Sequence, residues 1–165
     1  MIHLEKIDHK NVWDVIDLKL RREQKIFVAS NEISIVQAYS VRDTETKAFP
    51  FAICNDDKVV GFLMVGYNEA ATYDAFDDVV PPDALKNNYS IWRLMIDKRY
   101  QGRGYGSEAI RQALDFIRTC PAGRAEYCEI SWEPENEDAA RLYRSLGFEE
   151  NGEMDGDEIV AVMKL

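Results

Sequence analysis

The sequence predicts an α/β protein with a mixed central sheet of about seven strands and about four helices. Two observations carry that prediction. Apolar runs of strand length alternate with segments whose apolar residues recur at helical spacing, in the order β-α-α-β-β-β-α-β-α-β-β. Hairpin turns join some neighbouring strands while helices separate others, so antiparallel and parallel pairs must share one sheet. With 165 residues, no internal repeat and no low-complexity tract, residues 1–165 read as a single domain.

Each element has its own signature. "IHLEKI" alternates apolar and polar residues and reads as a first strand. In "NVWDVIDLKL", Val12, Val15, Ile16 and Leu20 recur at helical spacing and predict an amphipathic helix. A second helix is expected over "SIVQAYSVRD", with Ser34 or Asn31 as its cap. "AFPFAIC", the turn "NDDK" and "VVGFLMVGY" form a hairpin of two apolar strands. The acidic stretch "NEAATYDAFDDVVPPDALKNN", with Pro81 and Pro82, reads as a long loop or short helix. "YSIWRLMI" is a largely apolar strand. In "GSEAIRQALDFIRTC", Ala109, Ile110, Ala113, Leu114 and Ile117 share one helical face. "AEYCEISW" is another strand, and "PENEDAARLYRSLGF" a helix that Gly147 closes. "FEENGEM" and "EIVAVMKL" make a last hairpin about "DGD".

Composition narrows the function. Hydrophobic residues at 46% and charged residues at 30% exclude a disordered chain. No apolar run approaches the ~20 residues that span a bilayer. The N-terminal "MIHLEKIDHK" is too short and too charged for a signal peptide, so a cytoplasmic protein with no membrane partner is expected. Against 30 Asp+Glu there are 20 Lys+Arg, and the net charge of −10 repels nucleic acid and favours a cationic partner. Cys54, Cys120 and Cys128 form no CxxC pair and point to buried reduced thiols. His3 and His9 alone do not make a histidine–cysteine metal site, so no metal is expected.

One segment concentrates positive charge in this acidic chain. "DKRYQGRGYGSEAI" places Lys98, Arg99 and Arg103 around Gly102, Gly104 and Gly106, just before a helix. A strand, a tight glycine turn and a helix start make an anion site, because unpaired amides and the helix dipole both point at the turn. Spacing decides which anion. No Lys follows Gly106, so the nucleotide P-loop fails. The dinucleotide fingerprint needs a glycine at 107, where Ser107 stands.

What fits is Gln-x-x-Gly-x-Gly, carried by Gln101, Gly104 and Gly106. A second pattern lies after the next strand: Asn136, Ala139, Leu142, Tyr143, Gly147 and Phe148, in Asn-x-x-Ala-x-x-Leu-Tyr-x-x-x-Gly-Phe. Together they resemble the two signatures of the GNAT N-acetyltransferase superfamily, in the family's order. Over most of the chain, including "EQKIFVAS", "RLMIDKRYQGRGYG" and "NGEMDGDEIVAVMKL", the sequence is similar to bacterial spermine/spermidine acetyltransferases.

The resemblance implies acetyl-coenzyme A as co-substrate, held in a crevice between splayed middle strands. It assigns main-chain groups of Leu94, Met95 and Ile96 to the pantetheine arm. It places the pyrophosphate on the amides of Gln101, Gly102, Arg103, Gly104, Tyr105, Gly106 and Ser107, with Asn136 on the other side. Tyr143 becomes the proton donor to the leaving thiolate. A phenol with an ordinary pKa of ~10 is protonated at neutral pH and suits that role. Many relatives carry a carboxylate on the strand before the glycine turn. Here "YSIWRLMI" has none before Asp97, which leaves water-mediated deprotonation assisted by Glu129. Strand alternation puts Glu129 with Tyr127 and Ser131 on one face, opposite Cys128 and Ile130.

A small cationic amine is the expected acceptor, spermidine or spermine before others. Separated carboxylates and an aromatic wall would hold it. Glu23, Glu32, Trp92, Glu129 and the acidic ending from Glu149 to Glu158 are candidates, and Asp74, Asp77 and Asp78 would line the entrance. Two alternatives stay open: an acetyltransferase for an aminoglycoside, amino acid or protein N-terminus, and a non-catalytic module that senses coenzyme A or polyamines. The resemblance also allows a homodimer.

Overall fold

Residues 1–73 and 80–165 are described by a computed structural model. Asp74, Asp77 and Asp78 lie outside the described residues. Seven strands form one sheet: β1 (Ile2–Lys6), β2 (Lys47–Asn55), β3 (Lys58–Tyr67), β4 (Tyr89–Ile96), β5 (Tyr127–Trp132), β6 (Glu149–Asp155) and β7 (Glu158–Lys164). Their order is β1-β2-β3-β4-β5-β7-β6. Every neighbouring pair is antiparallel except β4 and β5, which are parallel. The mixed sheet and the order of elements are those the sequence predicts.

Alternation along the strands decides which side chain enters which layer. Phe51, Ile53, Leu63 and Val65 face one core with Ile91 and Ile130, and Ala52, Cys54, Phe62 and Met64 face the other with Met95. Both faces of the central strands are covered, which is why they read as continuous apolar runs. Helices α3 (Tyr105–Arg118) and α4 (Glu137–Leu146) pack on the first face through Ile110, Ala113, Leu114, Ile117, Ala140 and Tyr143. Helices α1 (Val12–Ile16) and α2 (Asn31–Ser40) cover the second, Val15 and Leu18 entering that core.

The first two helices differ from their sequence signatures. The α1 helix ends at Ile16, so Leu20 lies beyond it, in the segment that leads to a short 3-10 turn at Arg22–Gln24. The α2 helix begins earlier than "SIV", and its cap is Ser30, whose hydroxyl accepts from Ile33 N–H at 3.3 Å. Asn31 is instead buried, donating its amide to Val15 C=O at 2.8 Å, and Ser34 donates to Ser30 C=O. A cap and a buried polar staple use the same residue types, and only tertiary contact separates them. Cys54 and Cys128 are buried thiols as expected; Cys120 is exposed at a left-handed corner after α3.

The end of β4 is fixed by one carboxylate. Asp97 is wholly buried and accepts from Lys19 N–H (2.8 Å), Arg99 N–H (2.9 Å) and the Arg99 guanidinium (2.8 and 3.0 Å). Its own N–H donates to Val60 C=O at 2.9 Å. Burial opposes the charge, but the hydrogen bonds from Arg99 and Lys19 outweigh it and hold the carboxyl at about 2. Arg99 is thereby engaged with the fold. Asp97→Asn should cost about 2 kcal/mol of unfolding free energy at pH 7, read by urea denaturation. Because the folded carboxyl titrates below its ordinary 3.8, this contribution is complete above about pH 4 and fades as pH falls toward about 2. The wild-type and variant stabilities should converge over that window.

Candidate active site

The parallel pair β4–β5 is joined only at Tyr89–Cys128 and Ser90–Glu129. Beyond that point the strands part. A bulge accounts for the bend: Met64 faces Arg93 and Val65 faces Ile91, so Trp92 is an extra residue without a partner on β3. The resulting cleft has a volume of about 1310 Å³. Asp97 N–H pairs with β3, so alternation turns the main-chain groups of Met95 toward β3 and those of Leu94 and Ile96 toward the parted edge.

The glycine turn forms the outer lip. Gly102 and Gly104 have φ of 75° and 78°, the left-handed region that glycine reaches without strain. A Cβ built on either meets no heavy atom within 4 Å, so the turn's surface is open to a ligand. The fourteen-residue α3 begins directly after it, with the dipole's positive end at the turn. The Gln101 side chain ties the turn down, its amide donating to Ile96 C=O (2.9 Å) and to Gln24 Oε1 (2.8 Å). Asn136 caps α4, its side chain accepting from Ala139 N–H at 3.3 Å. Tyr143 is buried between Trp132 and Phe148, at ring distances of 5.7 and 6.4 Å. Burial, with Glu158 and Glu129 nearby, pushes its hydroxyl above the ordinary phenol value and keeps it protonated at neutral pH.

The inner end of the cleft is acidic. Gly66, Ser90 and Glu129 form one row across β3, β4 and β5. Glu69 follows β3 in a 3-10 turn (Glu69–Thr72), after Asn68 has taken a left-handed φ of 53° that its short polar side chain tolerates. Its buried carboxyl accepts from the Ser90 hydroxyl. Ser131 donates likewise to Glu158, and Tyr73 to Asp155 at 2.5 Å. Glu129 is buried and its Oε1 has no partner among the described residues. Arg93 lies beside Glu69 and Glu158 in this group. It donates to Trp92 C=O (2.7 Å) and Gln37 Oε1 (3.1 Å), forms no ion pair among the described residues, and leaves Nε unpartnered. Burial pushes Glu69 up to about 8 against the Ser90 hydrogen bond and Arg93, and pushes Glu129 well above the carboxylate range with help from Glu69, Asp155 and Glu158.

Most of the residues singled out in the sequence meet here. Trp92, Leu94, Met95, Ile96, Gln101, Gly102, Gly104, Tyr105, Gly106, Ser107, Glu129, Asn136 and Tyr143 all line the cleft, as do Asp155 and Glu158 of the acidic ending. Three others stand outside it. Arg103 is exposed over the Tyr100 ring at 5.7 Å, Glu23 lines a shallow depression beside Asn136, and Glu32 is exposed in the first turn of α2. Glu149 and Glu150 are exposed, Glu150 pairing with Arg144, and Glu153 accepts from Asp83 and Ala84 N–H. Glu69 and Arg93 were invisible as site residues because neither sits in a spaced motif; the nearest signal for Glu69 is Gly66, three residues before it.

A parallel pair parted beside an anion-binding turn, with a protonated phenol facing the opening, is the arrangement expected of an acyltransferase. Residues 12–148 match the model of the acetyltransferase (GNAT) family, and the chain belongs to that family. It is an N-acetyltransferase. It is similar to the spermine/spermidine N(1)-acetyltransferase of Bacillus subtilis (strain 168), with 24% identity over 156 residues, 93% of this chain and 91% of that one. Among solved structures it resembles aminoglycoside acetyltransferase AAC(6')-Ib in complex with coenzyme A and kanamycin, with a TM-score of 0.73, 14% identity and coverage of 99% and 95%. It also resembles spermidine N-acetyltransferase from Vibrio cholerae in complex with CoA and spermine, with a TM-score of 0.64, 16% identity and coverage of 99% and 94%. Those two likenesses establish the fold. Among the described residues no helix is long and apolar enough to cross a membrane.

The acidic end has a cost that can be measured. A carboxyl whose folded pKa is raised binds more protons folded than unfolded, so stability falls as pH rises from the unfolded value toward the folded one. For Glu69 that window runs from 4.5 to about 8. The protein without ligand should lose stability between pH 5 and pH 8, each such group contributing at most about 1.4 kcal/mol per pH unit. Glu69→Gln should flatten that slope in urea denaturation; an unchanged slope would assign the proton to another group.

Proposed function

We propose that the protein transfers the acetyl group of acetyl-coenzyme A to a small amine with more than one ammonium group, spermidine or spermine before others. The observation that carries the reading is the inner end of the cleft, where four carboxyls gather and Arg93 is held by Trp92 and Gln37 instead of an ion pair. Burial holds Glu69 and Glu129 back from ionising in the empty cleft; an ammonium group beside them favours their charged form, and Trp92 supplies an aromatic wall. The similarity to spermine/spermidine acetyltransferases over nearly the whole chain supports the same reading.

The glycine turn fits the coenzyme's diphosphate: its left-handed glycines are unobstructed, and the amides of Tyr105, Gly106 and Ser107 that open α3 precede its first intrahelical bond, from Glu108 N–H to Gly104 C=O. Leu94 and Ile96 offer main-chain groups along the parted edge to the arm that follows. When bound, the thioester supplies an activated acetyl carbonyl to the amine. Holding both reactants in one cleft provides proximity. Glu129 gives up its own proton to solvent once an ammonium group lies beside its unpartnered oxygen, and then takes the proton that the ammonium must lose before attack, directly or through water. Tyr143 supplies the proton to the departing thiolate, and its burial keeps that proton in place across the neutral range. Asn136 holds the first turn of α4 and so fixes where Tyr143 stands two turns later.

Thiol release from acetyl-coenzyme A, followed across polyamines, monoamines, aminoglycosides and amino acids, tests the reading. Polyamines should be the best acceptors. Tyr143→Phe should lower kcat by about 10²-fold or more with little change in the amine KM. Turnover of aminoglycosides without polyamines would overturn the acceptor assignment, and an undiminished Tyr143→Phe rate would overturn the acid.

A further inference from the structure

Glu69 is the one carboxyl of the inner cleft that no sequence pattern marks, and the fold goes to some length to place it. β3 ends in the left-handed Asn68, whose side chain accepts from Asn87 N–H at 3.0 Å and whose N–H donates to Asn88 C=O at 2.9 Å. That corner turns the chain back so that the Glu69 carboxyl lies over Gly66. A Cβ at Gly66 would meet Ser90 Oγ at 2.5 Å and the Glu69 carboxyl closer still, so the strand carries a glycine where the acid needs room. The Ser90 hydroxyl donates to Oε1. The Gly66–Ser90–Glu129 row then sets the separation. Gly66, beneath the Glu69 carboxyl, and Glu129 flank Ser90 on either side, each one strand spacing of about 4.8 Å away. Glu158 and Glu129 are the charged neighbours of the Tyr143 phenol, and Arg93, Asp155 and Glu158 are those of Glu69.

We propose that Glu69 receives a second ammonium group of the acceptor, and is therefore the residue that separates diamines and polyamines from monoamines. This rests on the amine-acetylation reading above. The nitrogen that reacts sits toward Glu129 and Tyr143; the next nitrogen, a short methylene chain away, reaches Glu69. Butanediamine, which is also the butyl segment of spermidine, carries two ammonium groups on such a chain. A monoamine of the same length leaves the Glu69 carboxyl without a charge partner, so binding it gains nothing from that group. Arg93, beside Glu69, is held by Trp92 and Gln37 and does not neutralise the acid through an ion pair.

The test compares butanediamine with butylamine as acceptors for the wild-type enzyme and Glu69→Gln. In the wild type, kcat/KM should favour the diamine. In Glu69→Gln the diamine should lose at least about 10-fold, mainly through KM, with the monoamine changed less than about 2-fold. Ser90→Ala, which removes only the hydroxyl partner, should shift the same ratio in the same direction by a smaller factor. A catalysis-free readout is the rise in melting temperature on adding butanediamine, which should be present in the wild type and diminished in Glu69→Gln. Equal losses on both amines, or an unchanged ratio, would overturn the role of Glu69 while leaving amine acetylation standing. No turnover of either amine by the wild type, with no thermal shift, would overturn the amine reading and this proposal with it. Glu69→Gln removes a buried group that resists ionisation, so misfolding does not imitate the expected result.

Discussion

The site depends on a failure of pairing. Parallel strands β4 and β5 share two residue pairs and then separate, because the extra residue Trp92 bends β4 where it should have continued the ladder. Everything functional is arranged about that gap. Its parted edge presents main-chain groups that no strand satisfies, its outer lip is the glycine turn, and its inner end is lined by acids from β5, β6 and β7 and the turn after β3. A sheet that closed fully would satisfy more of its backbone and have nowhere to put a second molecule.

Such an opening has to be braced. Asp97 does this at the outer end, joining the end of β4 to the segment after α1 through Lys19 and to the glycine turn through Arg99. The Gln101–Gln24 contact makes a second link between the same two regions. On the far side, α4 is held at both ends, by the Asn136 cap and by Gly147 in a left-handed conformation. The cleft is thus framed by rigid terminations of regular elements, and the angle between them sets where Tyr143 meets the gap.

Much of this was legible in the sequence. The strand and helix order follows from apolar periodicity, because the central strands are buried on two faces and α3 and α4 each show one apolar stripe. The glycine turn was legible because its spacing is dictated by backbone conformation, and Tyr143 because it lies at a fixed distance from a capping residue. The acidic end was only half legible. Glu129 could be placed on a face by alternation, but its burial depends on how far β4 swings away, which no local pattern encodes. Glu69 comes from an irregular corner and matters only because Ser90 and Gly66 meet it from two other strands. Glu32 and Arg103 illustrate the converse: charge of the right sign, close in sequence, turned outward by helix or turn geometry.

Gly66 gives the acidic end an unusual kind of control point. The position holds no functional group, yet the nearest thing a mutation could add there, one methyl, would collide with Glu69 and Ser90 together and leave the glycine turn untouched. With the acceptor role proposed for Glu69, acceptor choice and donor binding are separable by inheritance: a lineage could displace that acid by a substitution at one position of β3, without renegotiating its hold on the coenzyme.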